Sequence, residues 1–60
     1  MNRIVITSDI VKYDGTVIKT GDTGTAFGFN RDTCNFSVTM DDGTYAMIKA
    51  WEFDFVKENA

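Results

Sequence analysis

The chain has 60 residues, with six Lys and Arg against nine Asp and Glu, a net charge of −3, no histidine, no proline and one cysteine. A chain this short makes a single domain, residues 1–60, and buries only about 60% of the surface its unfolded form exposes. Cys34 has no internal partner for a disulfide and a zinc site has no histidine to draw on, so neither common staple of a small fold is present.

Residues 1–6 contain no long apolar leader, and no apolar run approaches the length of a membrane span. Together with the lone thiol, this predicts a soluble, cytoplasmic protein with no membrane partner. The cations Arg3, Lys12, Lys19, Arg31, Lys49 and Lys57 are scattered, no two adjacent. Nucleic-acid binding rests on clustered positive charge that displaces counterions from phosphates, so the acidic balance speaks against it, and against anionic lipid surfaces.

In chain order, β-branched and aromatic residues recur with turn signals every several residues, and eight threonines join them. This is the pattern of strands, not of helices with apolar residues at three-to-four spacing. Residues 4–11 form a first extended stretch, broken near Thr7-Ser8-Asp9. Tyr13-Asp14-Gly15-Thr16 is a hairpin turn, since Asp-Gly tolerates positive φ, and Val17 and Ile18 return from it. Gly21 and Gly24 mark a tight corner, and residues 25–29 form the next strand, bent at Gly28. A polar loop follows at residues 30–33. Residues 36–40 alternate as a half-buried strand should. Residues 46–49 form another strand, Ala50-Trp51-Glu52 a short 3-10 turn, and residues 53–56 the last strand.

The turn Asp41-Asp42-Gly43 fixes a register. A two-residue loop would place Val38 on one face with Met47 and put Ile48 outside with Ser37. A three-residue loop, a type I turn with Gly43 as a left-handed bulge, instead puts Val38 with Ala46 and Phe36 with Ile48 inside. Thr39 then pairs outside with Tyr45, and Ser37 with Met47. This second register buries the β-branched residues and leaves the hydroxyls wet, so it is the one predicted.

Lys19-x-Gly21-Asp22-x-Gly24-Thr25 before the second strand, Asp41-Asp42-Gly43-Thr44 between the third and fourth, and Phe53-x-x-Val56 at the end resemble SH3-like small barrels over nearly the whole chain. The resemblance implies an all-β, five-stranded barrel with a 3-10 turn before the last strand. Gly21-x-x-Gly24-x-Ala26 is similar to the glycine pattern of KOW motifs, which bring basic residues to RNA or protein partners; that basic company is missing here. Small bacterial or phage SH3-like accessory proteins, including regulatory subunits of photosynthetic complexes, are similar in length and strand order. The Ala-Leu-Tyr-Asp-Tyr signature of signalling SH3 domains is absent, so polyproline recognition is not implied.

The chain offers little chemistry. Without histidine, Ser-His and Cys-His nucleophiles are excluded. Asp41 and Asp42 read as solvated turn residues rather than a catalytic pair, and the residues after Gly43 lack calcium-ligand spacing. Gly21 to Gly28 is not followed by the Gly-Lys-Ser/Thr of a phosphate loop. Cys34, close in sequence to Arg31, reads as a small residue opening a strand. The expectation is therefore a non-enzyme with no cofactor and no metal.

Eight aromatic residues are many for so small a barrel. Phe36, Phe53 and one of Phe27 or Phe29 are expected inside with Ile4, Ile6, Val38, Ile48 and Val56. Tyr13, Tyr45, Met47, Trp51 and Phe55 are left for the outside or the rim, as partner-binding candidates. They point to a small protein-interaction or regulatory module docking on another protein or multi-subunit complex, such as an accessory subunit or a phage- or plasmid-encoded modulator. The alternatives are a KOW-like small-barrel nucleic-acid-binding protein stacking bases on exposed aromatics, and a homo-oligomer joined through Tyr45 and Met47.

Overall fold

The structure is a computed structural model describing residues 2–57; the outer ends of the expected 1–60 domain, Met1 among them, lie outside the described residues. The strands are β1 (Asn2–Ile6), β2 (Ile10–Val11), β3 (Val17–Ile18), β4 (Thr23–Asn30), β5 (Asn35–Met40), β6 (Tyr45–Lys49) and β7 (Phe53–Phe55). A 3-10 turn at Ala50–Glu52 leads into β7. Five strands make one antiparallel sheet in the order β6-β5-β4-β1-β7, and β2 and β3 pair separately. The sheet curls into a half-barrel. The chain is all-β, as its composition predicts, and the 3-10 turn lies where the sequence places it.

The first extended stretch does break at Thr7-Ser8-Asp9, and its halves join different sheets. The Ile6 N–H donates to the Asp22 carbonyl and the Gly21 N–H to the Ile6 carbonyl, which brings the two ends of the intervening segment together. Gly21 turns this corner at φ +96°, a region that disfavours a side chain. Between the ends, β2 and β3 form the expected hairpin, with Ile10 opposite Ile18 and Val11 opposite Val17. Ile18 is buried in the main core and Ile10 packs against it.

The β5–β6 turn follows the three-residue loop. Gly43 sits at φ +93°; its N–H donates to the Met40 carbonyl (2.9 Å), and the Met40 N–H donates to the Thr44 carbonyl (2.7 Å). Phe36 pairs with Ile48, Val38 with Ala46, Ser37 with Met47 and Thr39 with Tyr45. Val38, Ala46 and Ile48 are buried, while Tyr45, Met47 and Thr39 are exposed. The core comprises Ile4, Ile6, Ile18, Ala26, Val38, Met40, Ala46, Ile48 and Phe53. Complete burial of an aliphatic side chain contributes roughly 1.5–3 kcal/mol, so Ile4, Ile6, Ile48 and Val38, all shielded from water, supply much of the driving force.

Two core expectations need correction. Neither Phe27 nor Phe29 fills the interior; each stays 51% exposed. The β4–β5 register slips between Ala26 and Gly28, so Phe27 is the extra residue of a β-bulge. The bulge reverses alternation: Ala26 is buried, Phe27 faces out with Tyr45, and Phe29 turns back toward Phe36 at the open end of the curl. Val56 is also exposed rather than interior. In a strand Phe53 and Phe55 share a face, so Val56, at odd spacing from Phe53, takes the other.

Asp41 is more than a solvated turn residue. Both oxygens of its carboxylate accept from the Arg3 guanidinium at 2.7 Å, and the Thr23 hydroxyl donates to the same group. The Arg3 guanidinium also donates to the Thr25 hydroxyl, tying β1, β4 and the β5–β6 turn together. These hydrogen bonds from Arg3 and Thr23 hold the Asp41 carboxyl well below its ordinary value. Asp42 accepts from the Thr44 N–H and lies below the usual range for that reason.

Candidate interaction surface

The candidate side chains come from two elements brought together by the fold. β6 presents Tyr45 and Met47 outward because its alternate residues Ala46 and Ile48 are committed to the core. The β2–β3 hairpin delivers Val11, Lys12 and Tyr13 to the same side. An open groove results, lined by Ile10, Val11, Lys12, Tyr13, Tyr45, Ala46 and Met47. Lys12 joins the two elements: its ammonium donates to the Tyr45 carbonyl at 3.0 Å and lies 4.0 Å from the Asp14 carboxylate. The Asp14 carboxylate accepts from the Thr16 N–H, which closes the hairpin turn and lowers the carboxyl's pKa, with Lys12 adding a smaller effect.

Tyr13 projects fully into solvent at the hairpin tip. Tyr45 is steadied on its other side by Phe27, with ring centroids 6.0 Å apart, and its hydroxyl donates to Ser37 Oγ at 3.4 Å. Met47 also lines a second shallow groove with Phe29, Asn30, Arg31, Asp32 and Ser37, so the surface turns polar beyond it. The structure thus unites three of the five predicted residues, Tyr13, Tyr45 and Met47.

The other two lie elsewhere. Trp51 is on the 3-10 turn, 71% exposed and outside this groove. Phe55 is opposite Ile4 on the inner side of the half-barrel, 5.3 Å from Phe53 and 5.8 Å from Phe36 between centroids. Sequence reasoning missed Val11 and Phe27 as members of the surface. Val11 follows from the hairpin register, in which its partner Val17 is exposed as well. For Phe27 the available signal was Gly28, which marks the bulge but does not say which residue it expels.

Among the described residues, no group of three or more His, Cys, Asp or Glu side chains is placed to hold a metal ion. No helix among them is long and apolar enough to cross a membrane. Cys34 lies in the turn before β5 rather than in the strand, at φ +57°, with its thiol 3.8 Å from the Arg31 carbonyl. Comparison with protein families, with curated proteins and with solved structures gives no match to this chain.

Proposed function

We propose that this chain is a small non-catalytic interaction or regulatory module of the SH3-like barrel type, docking on a larger cytoplasmic protein or complex. The barrel reading is supported by the sheet order β6-β5-β4-β1-β7, the hairpin inserted between β1 and β4, the tight β5–β6 turn and the 3-10 turn before β7. The observation that carries the docking surface is the groove where Tyr13, Val11, Tyr45 and Met47 meet, with Phe27 on its flank. Aromatic residues and methionine are enriched at protein interfaces, and a small domain has few reasons to leave so many outside.

Nucleic acid is the weaker reading. Bases stack on exposed aromatics, but Lys12 is engaged by Tyr45 and Asp14, and Arg3 is held by Asp41. The test is capture by the immobilised chain from extract of the source cell, with three versions compared. The wild type and Trp51→Ala should retain one specific protein band, and Tyr45→Ala combined with Met47→Ala should lose it. Retention of that band by the double variant would refute the proposed surface.

A further inference from the structure

The two edges of the five-stranded sheet are finished differently. At β6, alternate residues present their N–H and C=O groups outward. The outward Tyr45 carbonyl accepts from Lys12, and the Lys49 N–H donates to Glu52, so this edge is covered at both ends. A lysine laid over an edge strand is a common protection against strand addition.

Among the described residues, none covers β7 in this way. The Val56 N–H donates to the Arg3 carbonyl and the Thr7 N–H to the Glu52 carbonyl. Arg3/Val56 and Thr7/Glu52 are therefore hydrogen-bonded pairs, and Val5/Asp54 is the pair between them. By alternation, the N–H and C=O groups of Phe53 and Phe55 point away from β1, at the free edge. β7 holds no lysine, no proline and no bulge. Its inward side chains join an aromatic row in which Phe29 lies 4.7 Å from Phe36, and Phe36 5.2 Å from Phe53 and 5.8 Å from Phe55. The core thus runs to the surface beside a strand paired on one side only, with Phe29 and Phe55 half exposed.

Unpaired alternating donors and acceptors select an extended strand as the occupant, and apolar side chains on the core side select one that presents aromatics to that face. β7 itself, Phe-Asp-Phe, meets both conditions. We propose that β7 is a self-association edge, on which β7 of a second copy adds antiparallel to join two half-barrels through one continuous sheet. Charge sets the register. Centred on Asp54, the two carboxylates would face each other, which is unfavourable. Centred on Phe55, Asp54 lies opposite Val56 of the second copy, and the two Phe55 residues exchange a pair of hydrogen bonds. The Phe55 rings then meet on the two-fold axis, and the contact is isologous and closed. This edge is separate from the Tyr45 and Met47 groove.

So short an edge buries well under the roughly 800 Å² per partner of a standard interface, so a weak, concentration-dependent dimer is expected. Sedimentation equilibrium from micromolar to millimolar should show the 6.7 kDa species giving way to twice that mass. A chemically synthesised chain with an Nα-methyl group on Phe55 loses the edge N–H without touching the β1 pairing. It should bind itself at least roughly tenfold more weakly, because two symmetry-related hydrogen bonds go together. Tyr45→Ala should dimerise like the wild type. Isotope-filtered NOEs on a mixed labelled and unlabelled wild-type sample need no variant, and should connect Phe55 rings of different copies. A monomer at every concentration, a dimer unaffected by Nα-methylation of a folded chain, or intermolecular NOEs from Tyr45 and Met47 instead would each overturn the proposal.

Discussion

Substituting alanine at Gly24 and, separately, at Gly28 should move stability in opposite directions, although both glycines belong to the same strand. A Cβ at Gly24 falls 2.8 Å from the Thr39 carbonyl oxygen and 3.0 Å from Met40 Cα and Sδ. Carbon atoms prefer about 3.5–4.0 Å, and two of these three neighbours are backbone of the paired strand β5. Relief therefore requires β4 and β5 to part where Gly24 pairs with Met40, in a buried region. Overpacking of this kind costs about 1–3 kcal/mol. Removing a glycine also restricts the unfolded chain, which returns about 0.4–1 kcal/mol and leaves a net loss of roughly 1–2 kcal/mol. For a domain this small, each kcal/mol shifts Tm by about 4–8 °C, so Gly24→Ala should melt roughly 4–16 °C lower. At Gly28 the nearest atoms are Ser37 Cβ and Oγ, both at 3.9 Å, and the backbone is outside the left-handed region. There the entropic gain stands alone, and Gly28→Ala should melt roughly 2–8 °C higher. Thermal melts by far-UV circular dichroism, with calorimetry to verify two-state behaviour, measure both. Equal shifts, or a rise for Gly24→Ala, would refute the close-approach argument.

Four further outcomes are expected. Asp9, Asp14, Asp41 and Asp42 all have carboxyl pKa values lowered from 3.8 by hydrogen bonds to their charged forms. Their contribution is thus fully present above the unfolded pKa and is lost as pH falls through the folded values. Tm should be level above about pH 5 and drop on acidification below about pH 4, and Asp41→Asn should flatten that limb; an unchanged acid limb would remove Asp41 from its cause. Because the Asp41 side chain is half exposed, added salt should shrink the difference between wild type and variant. Ile48→Ala, at a site with no solvent exposure, should cost about 2–5 kcal/mol, comparable with the whole stability expected of 60 residues, and leave much of the chain unfolded at 37 °C by circular dichroism. Cys34→Gly should raise the urea midpoint slightly, since a non-glycine residue in the left-handed region carries about 1–2 kcal/mol of strain, part of it offset by the added freedom of the unfolded chain.

How much of the site was legible depends on how local its causes are. The outward pair Tyr45 and Met47 follows from the Gly43 loop, because a three-residue turn sets the register and alternation does the rest. Tyr13 and Val11 were legible as hairpin residues. Their arrival beside β6 was not, because it depends on how the hairpin folds back and on a lysine reaching a distant carbonyl. Phe55 is half exposed, as expected of a rim residue, but its side of the sheet was not legible: its partner Ile4 is 51 positions away, and only the β1–β7 pairing shows that the two share a face.

The Gly21-to-Gly28 segment divides the same way. Its amino acids alone determined a corner at Gly21 and a bend near Gly28, since freedom at φ and the loss of a packing side chain belong to the residue itself. The β-rich composition and the Asp41-Asp42-Gly43 turn likewise determined strands, the hairpin register and the alternate burial of Val38, Ala46 and Ile48. Only the tertiary structure decided that Gly24 is the glycine with no room for a side chain, that the bulge expels Phe27, that Asp41 clasps Arg3, and that Lys12 covers the β6 edge. Each of these is a contact between residues far apart in the chain, and no local propensity contains it.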